Sequence, residues 1–234
     1  MCGILGIISK RNHVPIKIYE GLAYLQHRGQ DSVGICNEYK CIKDNGLVKD
    51  VFTEEILNSL VSDICIGHVR YGTNGNFNKN TIQPIIIEEN SVTFSLSHNG
   101  NINNLQALSK IINKSNLSSD SEYILELFMH RLRELGEINT NNIFIVCDYL
   151  MATLKGSYSV LMLISDFGMV CFRDKFGIRP LVYGINADEY IISSESVVIE
   201  VLGYQKVRDV CPGETIVFEK NTKPRFNKRK NSSL

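Results

Sequence analysis

The chain commits its first residues to the interior. Residues 3–9 (GILGIIS) are apolar almost without interruption. A run this short cannot make a buried helix, so it predicts a buried strand that begins at the amino terminus itself. Chain ends usually fray, but an end tied into a sheet is ordered. Chemistry carried by Met1 and Cys2 is therefore held in place by the first strand of the fold.

The pattern that follows divides into strands, then helices, then strands. Ile18, Leu22 and Leu25 recur at helical spacing and stop before Gly29. β-rich segments follow at 32–36, 40–42 and 47–52. A short helix over 53–61 places Glu54 and Glu55 in its first turn, where the dipole favours anions. A strand over 64–69 ends at Arg70, and the Gly- and Asn-rich stretch 71–83 predicts a mobile loop. Strands at 84–88 and 92–96 lead into a polar turn, His98-Asn99-Gly100-Asn101. Helices are expected at 105–112, from Ser119 to near Leu135, and at 142–155; Ser119 and Glu122 form a capping box for the second. Strands at 158–165, 169–173, 181–184, 190–194 and 214–219 complete the chain, with a short helix at 197–202. Such an order does not suit a βαβ repeat, and no G-x-G-x-x-G follows a strand. It predicts an α+β fold with two mainly antiparallel sheets covered by helices.

Composition bounds the function. At 234 residues and 44% hydrophobic, the chain suits one large domain. Lys and Arg (25) balance Asp and Glu (25), which gives no reason to expect a nucleic-acid or membrane partner. No apolar run approaches the ~20 residues of a membrane helix, and no secretory signal is present. The cysteines, Cys2, Cys36, Cys41, Cys65, Cys147, Cys171 and Cys211, are scattered and odd in number. This argues against a disulfide framework or a zinc site and points to a reducing, cytoplasmic compartment. No metal spacing such as H-E-x-x-H occurs. The basic stretch 220–230 reads as a solvated tail.

Five residues can carry chemistry. Cys2 is small enough for the initiator Met to be trimmed, which leaves a thiol and a free α-amine on one residue. The amine titrates near about 7.7–8.0 and a thiol near about 8.5. One residue then holds a nucleophile and a general base of matched basicity. Taken alone, Cys2 reads as the second residue of a frayed terminus; the strand behind it argues otherwise. Asn99 and Gly100 could offer a side-chain and a backbone N–H to an oxyanion; taken alone they are an ordinary Asn-Gly hairpin turn. Arg70 at a strand end suits bidentate capture of a carboxylate, or is a surface arginine. Asp120 could hold a substrate ammonium, or simply cap a helix. His27, His68 and His98 read as structural.

Together and in this order, these stretches resemble the class II glutamine amidotransferases, a branch of the N-terminal-nucleophile hydrolases. Within them the sequence is most similar to the amidophosphoribosyltransferase branch of purine synthesis. The stretches are MCGILGI (1–7), LQHRGQDSVGI (25–35), GHVRYGT (67–73), SHNGNINN (97–104), SDSE (119–122), FRDKFGIRPL (172–181) and SSES (193–196). Sugar-phosphate amidotransferases tend to read R-G-Y-D-S where this chain has HRGQDS, and asparagine synthetases H-R-G-P-D.

The resemblance implies a four-layer αββα sandwich, with Cys2 as nucleophile and its amine as base. It implies an oxyanion hole at Asn99 and Gly100, Arg70 on the glutamine α-carboxylate and Asp120 on the α-amine. Thr73 would touch substrate within a lid that closes over it. No cofactor or metal is implied. The expected partners are glutamine and a synthase domain or subunit, with a homo-oligomer left open. Residues 1–220 would be the type 2 glutamine amidotransferase domain and 221–234 a disordered basic tail. The expected activity is hydrolysis of glutamine to glutamate and ammonia through a Cys2 thioester. The alternative is a catalytically silent glutamine-binding or regulatory module.

Two features depart from that family. Its lid usually reads R-Y-P-T, whereas Gly72 stands here in place of the proline, so ordered closure costs more conformational entropy. No stretch resembles the phosphoribosyltransferase domain or a phosphoribosyl-pyrophosphate loop. The sequence is then either one domain of a larger protein or a stand-alone glutaminase.

Overall fold

The structure, a computed structural model, describes residues 1–11, 13–72 and 81–229. The opening apolar run forms β1 (Gly3–Ile8), buried along its whole length. Ile4, Leu5 and Ile7 are fully buried, and each such side chain contributes about 1.5–3 kcal/mol. Next come α1 (Val14–Tyr24), a 3-10 turn (Gln26–Arg28), and the hairpin β2 (Ser32–Cys36) and β3 (Cys41–Asn45). Short helices α2 (Val48–Val51) and α3 (Glu54–Asn58) precede β4 (Ile64–Arg70). Beyond residue 80 lie β5 (Ile85–Glu89), β6 (Val92–Ile102), α4 (Leu105–Ile112), α5 (Asp120–Leu135) and α6 (Thr140–Thr153). The chain closes with β7 (Gly156–Ile164), β8 (Gly168–Arg173), β9 (Val182–Asn186), β10 (Glu189–Ser193), α7 (Ser196–Val201), β11 (Gln205–Asp209), β12 (Glu214–Glu219) and β13 (Arg225–Lys228).

The strands form two sheets, ordered β11-β9-β10-β1-β4-β2-β3 and β13-β12-β8-β7-β6-β5. β1 is central in the first and antiparallel to both neighbours. Its outward side chains Leu5 and Ile7 pack on Ile18 and Leu22 of α1 and Val198 of α7. The second sheet packs outward on α4, α5 and α6, through Phe94, Val160, Leu108, Phe128 and Val146. Its inner face meets the first sheet through Ile4, Ile66, Leu161, Met169 and Ile216. The sheets approach closely at Gly6, where an added Cβ would lie 2.5 Å from the Met169 sulfur. The fold is α+β, with two antiparallel sheets between helical layers.

Several expectations are corrected. Residues 98–101 are no turn: β6 runs unbroken from Val92 to Ile102 and pairs with β7 throughout that stretch. Residues 48–51, expected as strand, are helical. β11 was not foreseen; it is an exposed edge strand without alternation. Part of the expected tail is ordered, because β13 pairs with β12; residues 230–234 lie outside the described ones. Cys36 and Cys41 face each other across the β2–β3 hairpin and are joined by a disulfide. A pair of cysteines five apart carries no spacing signal until the hairpin register is known.

His68 lies on the inner face of β4, fully buried. Burial pushes its pKa down to about 3. The folded state therefore holds it neutral, while the unfolded chain takes up a proton below about 6.5. Stability from His68 is full above that value and is lost as pH falls towards about 3. Urea unfolding measured between about pH 7 and pH 5 should show stability falling with acid, and His68→Gln should flatten that slope by close to one proton. An unchanged slope in the variant would contradict the account.

Candidate active site

Cys2 lies one residue before β1. The β1–β4 register pairs Gly3 with Val69 and Ile4 with His68; one step further it sets Cys2 beside Arg70. Burial pushes the Cys2 thiol up. A hydrogen bond with the Tyr71 backbone, the charged amino terminus and Arg70 pull it down, and Asp120 pushes it up. Arg70, Tyr71 and Asp120 therefore all lie within electrostatic reach of one sulfur, although Arg70 ends a strand of the first sheet and Asp120 opens a helix packed on the second. Met1 is largely exposed.

The carbonyl of Cys2 is held from behind. Arg28 Nε donates to it at 2.9 Å, and Arg28 Nη1 donates to Glu195 at 2.6 Å. Arg28 is buried. His27 Nε2 also reaches Glu195, at 3.0 Å. Burial opposes ionisation of the Glu195 carboxyl, yet Arg28 and His27 hold its pKa below the usual carboxylate range. Next to it, Ser194 exchanges two hydrogen bonds with Ile4, both 3.0 Å. Thus HRGQDS and SSES converge on the first strand. The residue reading gave no role to Arg28 or Glu195; their signal is a buried arginine 26 residues from the terminus, legible only once α1 folds back on β1.

β6 supplies the opposite wall. Its pleat sends successive side chains to opposite faces. His98 points to the helical side, where Nδ1 bonds Ser121 Oγ at 3.1 Å and approaches Asp120 at 3.8 Å. Asn99 therefore points to the inner side, towards the sheet that carries β1. Its Nδ2 is buried and has no hydrogen-bond partner among the described residues. The next residue offers a backbone donor. Tyr158, opposite Gly100, donates its N–H to the Asp174 carboxylate and accepts the Asp174 N–H at its carbonyl, both on the β8 side. The pair is thus a non-hydrogen-bonded one, and the Gly100 N–H points away from β7. Gly100 admits no side chain, since an added Cβ would lie 2.2 Å from the Ser157 carbonyl.

Asp120 opens α5 and accepts the Ile102 N–H at 3.1 Å. Ser119 caps that helix, accepting from Glu122 N at 3.3 Å. Asp31 ties down the segment after β4: its N–H donates to the Arg70 carbonyl at 3.1 Å, and its carboxylate accepts the Gly72 N–H. A proline at 72 would lack that donor. Cys2, Arg70, Asn99, Gly100 and Asp120 are thus gathered at one end of the two sheets. Thr73 and most of the expected lid lie outside the described residues. Among the described residues, no group of three His, Cys, Asp or Glu could hold a metal ion, and no helix is long and apolar enough to cross a membrane.

A cysteine at the head of a central strand, facing a second sheet across the inner layer, defines the N-terminal-nucleophile hydrolase fold. Within that class the chain belongs to the glutamine amidotransferase domain family, whose profile matches residues 74–200. It is 40% identical to amidophosphoribosyltransferase of Pseudomonas aeruginosa, over 95% of this chain and 47% of that one. Identity to the Escherichia coli amidophosphoribosyltransferase is 38%, over 92% and 46%. A solved structure of B. subtilis glutamine phosphoribosylpyrophosphate amidotransferase with ADP and GMP superposes with a TM-score of 0.82 at 30% identity, covering 97% of this chain and 49% of that one. The chain spans about half the length of the curated relatives it matches.

The Arg28–Glu195 pair predicts a stability effect. Glu195→Ala leaves a buried guanidinium short of its carboxylate and should cost about 1–3 kcal/mol, read as a lower thermal midpoint. Glu195→Gln keeps an acceptor and should cost less. Equal, negligible effects from both would mean that Arg28 is compensated elsewhere.

Proposed function

We propose that this chain hydrolyses the side-chain amide of glutamine, with Cys2 as nucleophile once Met1 is removed. Burial keeps the thiol protonated near neutral pH, so attack needs a base, and the freed α-amine of Cys2 takes the proton. The sulfur adds to the amide carbon. Asn99 Nδ2 and the Gly100 N–H stabilise the oxyanion, each such donor being worth about 10²–10³ in rate. Collapse expels ammonia, which takes the proton back from the amine, and leaves a Cys2 glutamyl thioester. Water then attacks the thioester, the thiol leaves, and glutamate is released. Arg70 holds the α-carboxylate, Asp120 the α-ammonium, and Thr73 is a further substrate contact. The observation that carries this reading is the buried Asn99 Nδ2, without a partner among the described residues, on the face of β6 turned towards the sheet whose central strand follows Cys2. A buried donor without a partner costs about 1–3 kcal/mol, a cost that an arriving oxyanion removes.

The similarity to amidophosphoribosyltransferases supports a nitrogen-donating role of the purine-synthesis type, in the cytoplasm, with a synthase domain or subunit as acceptor of the ammonia. Tyr71, Phe176 and Ile178 stand exposed at the same end as Met1. Arg179 of that loop reaches the Met1 sulfur at 3.1 Å. Apolar exposure of this kind suits a partner surface.

Purified protein should release glutamate and ammonia from glutamine in equal amounts, and intact mass should show Met1 absent. Cys2→Ala should abolish turnover. Full activity in Cys2→Ala, or in protein that keeps Met1, would overturn the assignment. Stabilisation by glutamine without turnover would favour a silent binding module instead.

A further inference from the structure

We infer that Gln83 is a positioning residue for the Gly100 donor, a role that rests on the glutaminase reading above. β5 pairs with β6 from Glu89 opposite Val92 to Ile85 opposite Leu96. The same register would set residue 83 opposite His98 and residue 81 opposite Gly100. Continued as a backbone ladder, β5 would consume the Gly100 N–H. The ladder instead stops at the Ile85–Leu96 pair. The Gln83 side chain then makes one more bond in place of the backbone: its Oε1 accepts the His98 N–H at 2.6 Å.

Gln83 is buried and its main chain is clamped. Lys43 Nζ donates to the carbonyls of Ile82 and Pro84, both at 2.8 Å. Gly34 lets the segment lie close, because a Cβ there would sit 2.3 Å from the Gln83 carbonyl. Further along the same edge of β6, the Asp120 carboxylate accepts the Ile102 N–H at 3.1 Å. The three amides that point off this edge are thus treated differently. His98 is tied by Gln83 and Ile102 by Asp120, while the Gly100 N–H between them has no partner among the described residues and can meet a substrate oxygen. The side-chain bond fixes the strand edge without covering the donor that lies two residues on.

The test compares Gln83→Met, which keeps length but loses the acceptor, with Gln83→Glu, which keeps an acceptor oxygen. Glutamine turnover should fall about ten- to a hundredfold in kcat for Gln83→Met with KM nearly unchanged, the pattern of a lost transition-state contact. An aldehyde analogue of glutamine, which forms an oxyanion-like adduct with a thiol, should lose affinity by a similar factor. Alkylation of Cys2 by iodoacetamide should proceed at the wild-type rate, and Gln83→Glu should recover much of the kcat. Amide exchange at His98 should speed up in Gln83→Met. Wild-type kcat in Gln83→Met would overturn the inference while leaving the glutaminase reading intact; absence of turnover in the wild type would overturn that reading itself. A thermal midpoint that falls in step with kcat in both variants would reassign Gln83 to general folding and also overturn it.

Discussion

Everything at the site depends on which way each residue of β6 points. A strand sends side chains to alternate faces, and an antiparallel pair sends its amides to alternate edges. On β6 these two alternations sort four consecutive residues into separate tasks. His98 faces the helices and meets Ser121 and Asp120. Asn99 faces the other sheet with an amide nitrogen that has no partner among the described residues. Gly100 turns its N–H to the open edge, and Asn101 returns to pairing with β7. A one-residue slip of β6 against β7 would invert the whole arrangement. The pairing with β7, from Phe94 opposite Ile164 to Ile102 opposite Gly156, is long enough to forbid it.

The second wall is held just as tightly, by different means. β1 is paired on both sides, and its first residues are gripped by Ser194, Arg28 and the β4 register. The site is therefore assembled from rigid strands, while the segment after Arg70 is tied at its base by Asp31 and at its far end by Lys43. A rigid scaffold of this kind can hold a buried donor such as Asn99 Nδ2 without a partner among the described residues.

Much of this was legible in the residues. The buried run at 3–9 gave β1, and the Ser119–Glu122 pattern gave the start of α5. The α+β class followed from strands at both ends with helices between. The residues alone left His98-Asn99-Gly100 as a turn, because Asn-Gly is the strongest short hairpin signal. Here tertiary pairing with β7 overrides that local preference. Arg28, Glu195 and Gln83 were missed for a common reason. Each acts through a contact spanning 15 residues or more, from Gln83–His98 to Arg28–Glu195, and no local pattern encodes such a contact. The Cys36–Cys41 bridge was hidden likewise, since only the hairpin register brings its sulfurs together.

In the proposed reaction one sulfur, just ahead of β1, attacks a glutamine carbonyl within reach of Asn99 and Gly100. A diazoketone analogue of glutamine tests it directly, because the reagent alkylates only a nucleophile that holds the amino-acid portion in register. Peptide mapping after labelling should find a single adduct, on an amino-terminal peptide that begins with Cys2, and excess glutamine should protect it. Labelling at another cysteine, or none at Cys2 in correctly processed protein, would contradict the account.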